Sequence, residues 1–322
     1  MPPSSSPFAD PSPPAGSSSV FSAPGPEKLS LSEMLRLSRP RFWMYLVGPF
    51  VVGLLIGARS PSDVLSWRAA CFGFFFLFPA NLFVYGVNDV YDFETDALNA
   101  KKDFYEARLR RSSRSRLLAL ALCCALPFLG LSMLACRPLS SAMMLLFLFL
   151  SHQYSAPPIR AKARPMLDSL FNGLYACPAF LGYFLLGGHA LVWGWVASAW
   201  CWTMAMHAYS AVPDIQADTE AGLSTTATLL GAAPTLLLCA SLYALAALGS
   251  HGALGWLSVV LGAVYVGMIA LSMRLSLSRG PQAVMQLYKY FPALNTLAGF
   301  LLFWRIAWIK FAPSILAALS SR

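Results

Sequence analysis

Two short acidic runs hold the residue types in this chain most able to do chemistry. In the first, Asn88-Asp89-Val90-Tyr91-Asp92-Phe93-Glu94-Thr95-Asp96, the residues Asn88, Asp92 and Asp96 recur at every fourth position and Asp89 stands three before Asp92. On a continuous helix they share one stripe with Asp89 beside it, so three or four oxygen donors face one point. No Lys or Arg lies between Arg68 and Lys101 to offset these acids. Like charges at that spacing repel, and the repulsion grows near an apolar phase unless a cation sits among them. Hard divalent ions suit such oxygens, Mg²⁺ best where a phosphate completes its shell.

The second run, Tyr209 to Glu220, repeats the device with Asp214 and Asp218. Pro213 fits the first turn of a new short helix, so the preceding helix is expected to break just before the acids. Two acidic helix ends on one side of the protein point to two metal ions bridging a diphosphate. Two rival readings stand beside this one: a solvated acidic loop, for either run taken singly, and a proton or sodium pathway, as in a cation-coupled transporter.

Between the runs lies Tyr154-Ser155-Ala156-Pro157-Pro158-Ile159-Arg160-Ala161-Lys162-Ala163-Arg164-Pro165. Its prolines favour an extended turn that presents Arg160 and Lys162 together. Arg grips phosphate in bidentate fashion and Lys acts as a point charge; membrane topology alone would also call for basic residues here. Lys101 and Lys102 follow the first acidic run and invite the same argument, whereas Arg108 to Arg116 reads as a topology signal.

The elements that must position these groups are apolar. Of 322 residues, 57% are hydrophobic and only 11% charged, far below the roughly 25% charged usual in soluble domains. Stretches long enough to cross a bilayer recur near residues 42–57, 69–87, 117–136, 139–154, 169–187, 191–210, 229–249, 254–273 and 290–309. About nine transmembrane helices are therefore expected. The net charge of +9 arises largely because Lys and Arg gather on one side of these spans, which puts the N-terminus and both acidic runs in the cytoplasm and leaves nothing to suggest nucleic acid. The seven cysteines show no paired spacing and read as core residues.

Residues 1–28 form a Pro/Ser-rich tail with the composition of disorder. Residues 29–39 read as an amphipathic helix lying on the membrane, opened by a capping box from Ser30 to Glu33. Residues 40–311 make the transmembrane domain and 312–322 a C-terminal tail.

These motifs resemble those of the UbiA-type superfamily of intramembrane prenyltransferases. Asn88, Asp89, Asp92 and Asp96 match its N-D-x-x-D-x-x-x-D signature, Asp214 and Asp218 its D-x-x-x-D, and Tyr154 to Lys162 its Y-S-x-P-P-x-R-x-K loop. The stretches Tyr154 to Asp168, His207 to Asp214 and Ala221 to Thr228 look most like the branch of lycopene elongases that make C50 carotenoids. The resemblance implies an all-α integral membrane bundle around a central cavity open toward the cytoplasmic face. Two Mg²⁺ ions would be held by Asn88, Asp92, Asp96, Asp214 and Asp218, with Asp89 acting beside them.

It also implies that an allylic prenyl diphosphate is the donor, bound by Lys102, Arg160 and Lys162, and that an electron-rich, hydrophobic acceptor dissolved in the membrane takes the prenyl group: lycopene or a related carotenoid, or alternatively a chlorophyll, quinone or lipid precursor. Tyr154 and Tyr209, with Tyr85 and Tyr91, are candidates to steady the allylic cation through their ring faces, although packing explains any single tyrosine. Coupling to a carotenoid end leaves a tertiary cation that must lose a proton or take up water. His207 could be the base and His152 has equal claim by position; both also read as packing residues, and His189 and His251 as structural.

Overall fold

The computed structural model describes residues 30–96 and 114–320, with side chains over 30–92 and 114–313, and all regular structure in these segments is helical. Helix α1 (Leu31–Leu37) begins with the expected capping box: Glu33 N donates to Ser30 Oγ at 3.3 Å and Ser30 N to Glu33 Oε2 at 2.8 Å. A 3₁₀ turn at Pro40–Phe42 leads into α2 (Met44–Gly57).

Residues 67–96 form two helices, α3 (Trp67–Leu77) and α4 (Pro79–Asp96). The break has a local cause. Phe78 leaves helical geometry at φ −127° and ψ −63°, and Pro79 has no N–H to continue the ladder but suits the start of a helix. Carbonyls exposed by such a break need internal donors in an apolar bundle. Asn81, fully buried, supplies them through Nδ2 to Phe76 O at 2.8 Å and Leu77 O at 3.1 Å.

Further along the chain come α5 (Arg114–Ala135), α6 (Pro138–Ser155), the short α7 (Leu167–Leu170), α8 (Cys177–Leu186) and α9 (Trp193–Ala211). Helix α9 stops at Ala211, Pro213 sits in a 3₁₀ turn, and α10 (Ile215–Glu220) carries on; the break before the second acidic run is where Pro213 led one to expect it. Helices α11 (Thr226–Leu230), α12 (Ala232–Leu254), α13 (Trp256–Arg279), α14 (Met285–Tyr288) and α15 (Phe291–Ser320) complete the bundle.

Seven segments among the described residues are long and apolar enough to cross a membrane, fewer than the nine expected: Pro40–Gly57, Trp67–Asp92, Arg114–Ala135, Leu167–Leu186, Ala232–Leu254, Trp256–Arg279 and Phe291–Pro313. The two expected spans missing from this set are α6 and α9, helical throughout but interrupted by polar side chains. Helix α6 carries Ser140, Ser141, Ser151, His152 and Gln153, and α9 carries Ser198, Thr203, His207 and Ser210. Elsewhere the outward faces are strongly apolar: Leu248, Leu277, Trp304 and Trp308 are each more than half exposed, as suits a lipid-facing surface.

The two largest core clusters occupy the middle of the bundle. One joins α2, α3, α4 and α8 around Phe50, Phe72, Phe75, Phe76 and Leu181. The other joins α9, α12, α13 and α15 around Tyr209, Tyr243, Tyr265, Ile269 and Phe291. Helices α2 and α8 approach backbone to backbone: a Cβ at Gly182 would lie 2.5 Å from Phe50 O, the small-residue contact by which helices pack in membranes. Tyr175, between α7 and α8, touches both clusters, and the seam between them is where the cavity lies.

Replacing Asn81 by Leu should lower the melting temperature in detergent, because two carbonyls at the α3–α4 break lose their donor, at a cost of about 1–3 kcal/mol. An unchanged melting temperature would show that the break satisfies itself.

Candidate active site

A cavity of about 300 Å³ occupies the seam. Val84, Tyr85 and Asn88 of α4 line it on one side, Met206, His207 and Ser210 of α9 on another, and Ser151 and Tyr154 of α6 together with Tyr175 on a third. Phe42, Tyr45, Tyr288 and Phe291 complete an aromatic wall. Among these aromatic and aliphatic groups stand the polar Arg39, Asn88, Ser151, Asn172, His207 and Ser210.

At the C-terminal part of α4 the helix continues through Asp96, as the motif spacing requires. Asn88 lines the cavity and donates through Nδ2 to Asp92 Oδ2 at 2.8 Å and to Ser155 Oγ at 3.0 Å, tying α4 to the end of α6. Asp89 and Asp92 are buried, 5% and 8% exposed. Each meets a cation: Arg39 Nη2 lies 2.8 Å from Asp89 Oδ1, and Lys162 Nζ stands against Asp92 Oδ1. A buried carboxylate needs such a partner, since desolvation costs several kcal/mol. Burial in turn pulls the Lys162 ammonium down to about 8, with the Asp89 carboxylate opposing the fall.

The basic loop delivers these charges through unusual backbone. Arg160 has φ 45° and Arg39 φ 51°, left-handed conformations that cost a non-glycine residue about 1–2 kcal/mol and that accumulate at functional sites. The Nε of Arg160 is buried and has no hydrogen-bond partner among the described residues. Arg39, which no motif in the sequence singles out, lines the cavity and lies with Cζ 4.8 Å from the centre of the Tyr85 ring.

Asp214 immediately precedes α10 and Asp218 lies within it, both half-buried. Asp96 belongs to α4, but its side chain is outside the described residues, as is the whole of Lys102. Among the described residues no three His, Cys, Asp or Glu side chains gather closely enough to hold a metal ion.

The tyrosines separate. Tyr85 and Tyr154 line the cavity. Tyr209 does not: it is fully buried, bonded to Ser272 Oγ at 2.9 Å and wedged between Tyr288 and Phe291 at ring distances of 5.6 and 5.2 Å. The part expected for it at the reacting centre is corrected to one of packing, because its place on α9 turns it into the second core cluster. Tyr91 packs edge-on to His152 at 6.1 Å.

The four histidines separate as well, for only His207 lines the cavity. Its Nε2 lies 3.8 Å from Asp168 Oδ2, and its ring stands edge-on to Tyr154 at 5.9 Å. Asp168 is wholly buried at the start of α7. It accepts from Ser169 N and from Thr226 N, each at 2.7 Å, and closely from the Thr226 hydroxyl. Sequence reasoning missed Asp168 as a site residue. The available signal was that it is the lone acid between Glu106 and Asp214.

Comparison with known proteins fits this geometry. A model of the UbiA prenyltransferase family matches residues 46–295. The chain is 38% identical over 285 residues to the lycopene elongase/hydratase of Haloarcula japonica, covering 85% of this chain and 90% of that protein. It is 37% identical over 225 residues to the lycopene elongase/hydratase of Corynebacterium glutamicum, covering 69% and 76%. A solved structure of a UbiA homolog from Archaeoglobus fulgidus bound to DMAPP and Mg²⁺ shares the fold, with a TM-score of 0.55 at 22% identity over 84% of this chain and 99% of that one. With the family matched over most of its length and its helices built to cross a bilayer, the chain belongs to the UbiA prenyltransferase family and is a multi-pass membrane prenyltransferase.

Proposed function

We propose that this prenyltransferase transfers a dimethylallyl group from its diphosphate to an end of lycopene or a related carotenoid, with Mg²⁺ at the acidic helix ends. The observation that carries the acceptor is the likeness, over most of both chains, to proteins named lycopene elongase/hydratase. The donor and metal rest on the acidic runs and on the shared fold of a homolog bound to DMAPP and Mg²⁺. No feature of the cavity favours a chlorophyll, quinone or lipid acceptor over this one.

The residues suit the metal by donor chemistry. Asn88, Asp92, Asp96, Asp214 and Asp218 supply only oxygens once the Asn88 amide turns its carbonyl toward Asp92, and hard cations prefer oxygen. The carboxylates of α4 already attract positive charge, since Lys162 stands against Asp92 and Arg39 against Asp89. When bound, Mg²⁺ would supply charge neutralisation for the departing diphosphate.

The chain's own groups do the rest. Arg160, whose buried Nε has no partner among the described residues, and Lys162 take part of the negative charge that develops as the carbon to oxygen bond breaks, and Lys102 is assigned the same task. Asp89 holds Arg39 in place at the cavity wall. The faces of Tyr85 and Tyr154 stabilise the allylic cation, and the aromatic lining keeps water from it. On this reading the Lys and Arg bias puts the N-terminus and the acidic runs in the cytoplasm.

Purified protein given lycopene, dimethylallyl diphosphate and Mg²⁺ should yield carotenoids heavier by one and two C5 units. EDTA should abolish the products and added Mg²⁺ restore them. Unchanged lycopene from folded protein would remove the carotenoid acceptor, and full activity in EDTA the metal. Asp92→Asn should cut turnover by at least about 100-fold with the melting temperature kept within a few degrees; wild-type turnover would refute its ligand role. Arg160→Ala should raise KM for the diphosphate by roughly 10- to 100-fold, the worth of a lost charge-assisted hydrogen bond. Unchanged kinetics would return Arg160 to a topology signal.

A further inference from the structure

We infer that a basic hollow at the end of the bundle remote from the active site binds the phosphate of an anionic membrane phospholipid, whose acyl chains follow the seam between α2 and α15. The two sites stand at opposite ends of α2. Arg39, just before that helix, pairs with Asp89 at the active site, and Gly57, its last residue, lines a second hollow of about 380 Å³. The 14 residues of α2 set them about 21 Å apart at 1.5 Å per residue.

The floor of the hollow is backbone and its walls are basic. A Cβ at Gly187 would lie 2.8 Å from Gly57 O, so the ends of α2 and α8 close on each other without side chains. Arg59, His189 and Lys310 line the walls, and among the described residues no Asp or Glu does. Helix capping uses part of this charge. Lys310 Nζ donates to Ile56 O at 2.7 Å, while Arg137, just before α6, donates through Nη1 to Gly188 O and to His189 Nδ1, each at 3.1 Å. Arginine can only donate, so Nδ1 of His189 accepts and the proton of the neutral ring stands on Nε2, a donor for an anion. The Arg59 guanidinium is exposed, and it is the backbone N of Arg59 that holds the nearby Asp63, at 2.8 Å from Oδ2. Capping thus takes one donor of Lys310 and leaves its other two, with the fork of Arg59 and the ring of His189, to a ligand.

The level of the hollow in the membrane says which ligand. Trp67, Trp193 and Trp256 open α3, α9 and α13 at this end, Trp308 lies two residues before Lys310, and all four are more than half exposed. Exposed tryptophans gather where acyl chains give way to headgroups, which is the level of phospholipid phosphates. An apolar track leads to the basic wall. Phe303, Ile306 and Ala307 share the face of α15 that carries Lys310 and pack with Val52, Leu55 and Ile56 of α2. The positive-inside bias disfavours Lys and Arg at the end away from the acidic runs, and a bound anion gives Arg59, Arg137 and Lys310 a reason to gather there.

The test titrates purified full-length protein in neutral detergent with dioleoylphosphatidylglycerol, counting bound lipid by native mass spectrometry and following the melting temperature. The lipid should be retained and should raise the melting temperature, phosphatidylcholine should bind more weakly because it brings its own cation, and added salt should weaken both. In Arg59→Gln/Lys310→Gln the affinity for phosphatidylglycerol should fall by at least about 10-fold, the worth of one lost charge-assisted hydrogen bond. Arg274→Gln/Arg279→Gln, which removes the same charge from the far end of α13, should keep the wild-type affinity.

Equal affinity in wild type and Arg59→Gln/Lys310→Gln would overturn the inference. So would an equal rise in melting temperature with sodium phosphate, for the hollow would then hold a soluble anion and not a lipid. The Arg59 side chain takes no part in capping, so Arg59→Gln alone serves where the double variant fails to fold. It should weaken lipid binding roughly threefold, and unchanged binding there counts equally against the inference.

Discussion

Carboxylates buried at the end of an apolar helix set the terms for everything around them. Asp89 and Asp92 sit on α4 with almost no exposure, where an uncompensated charge would outweigh any nearby packing gain. Positive groups must therefore come to them from elsewhere in the chain. Arg39 arrives from the turn after α1 and Lys162 from the proline-rich loop after α6. Both supporting turns contain an arginine in left-handed backbone, strain that the charge contacts can offset. The N-terminal helix and the basic loop are thus bound to the same helix end, beside the cavity that Arg39 and Asn88 line.

The same demand explains why two helices resist recognition as spans. A cavity inside a bilayer-crossing bundle must be lined by some helix faces that are polar, and the polar residues have to be taken from the apolar count of those helices. Helices α6 and α9 contribute Ser151, Tyr154, His207 and Ser210 to the cavity, and these are the two expected spans whose composition falls short. Helices α12, α13 and α15, with lipid on one side and a close-packed aromatic cluster on the other, keep the uniform hydrophobicity that a sequence reader counts.

What sequence revealed divides along the same physical line. Features fixed by neighbours a few residues apart were legible: the capping box at Ser30, the acidic stripe of α4, the break before Asp214. Features fixed by contacts across the chain were not. Arg39 pairs with Asp89 fifty positions away and Thr226 with Asp168 fifty-eight away, and no local spacing announces either. Tyr209 misled for a related reason: its position beside the second acidic run suggested the cavity, whereas the rotation of α9 aims it at Ser272 on α13. The break between α3 and α4 carried a local signal in Pro79, passed over in reading 69–87 as one span, whereas the role of Asn81 shows only once its backbone partners are known.

On the proposed reading the acidic and basic motifs hold the diphosphate, so what selects the acceptor must lie where the acceptor reacts. The three stretches that most resemble the carotenoid branch, Tyr154 to Asp168, His207 to Asp214 and Ala221 to Thr228, are far apart in sequence. In the structure they meet at a single carboxylate: Asp168 faces His207 and is held by Thr226, whose hydroxyl also accepts from Met166 N at 2.7 Å. None of these groups belongs to the acidic stripe of α4 or to the Arg160 and Lys162 pair. On the proposed reading, donor and acceptor functions are built from different residues, and Tyr154, which lines the cavity edge-on to His207, stands between the two sets. Such a division allows the prenyl acceptor to change without disturbing the grip on the leaving group.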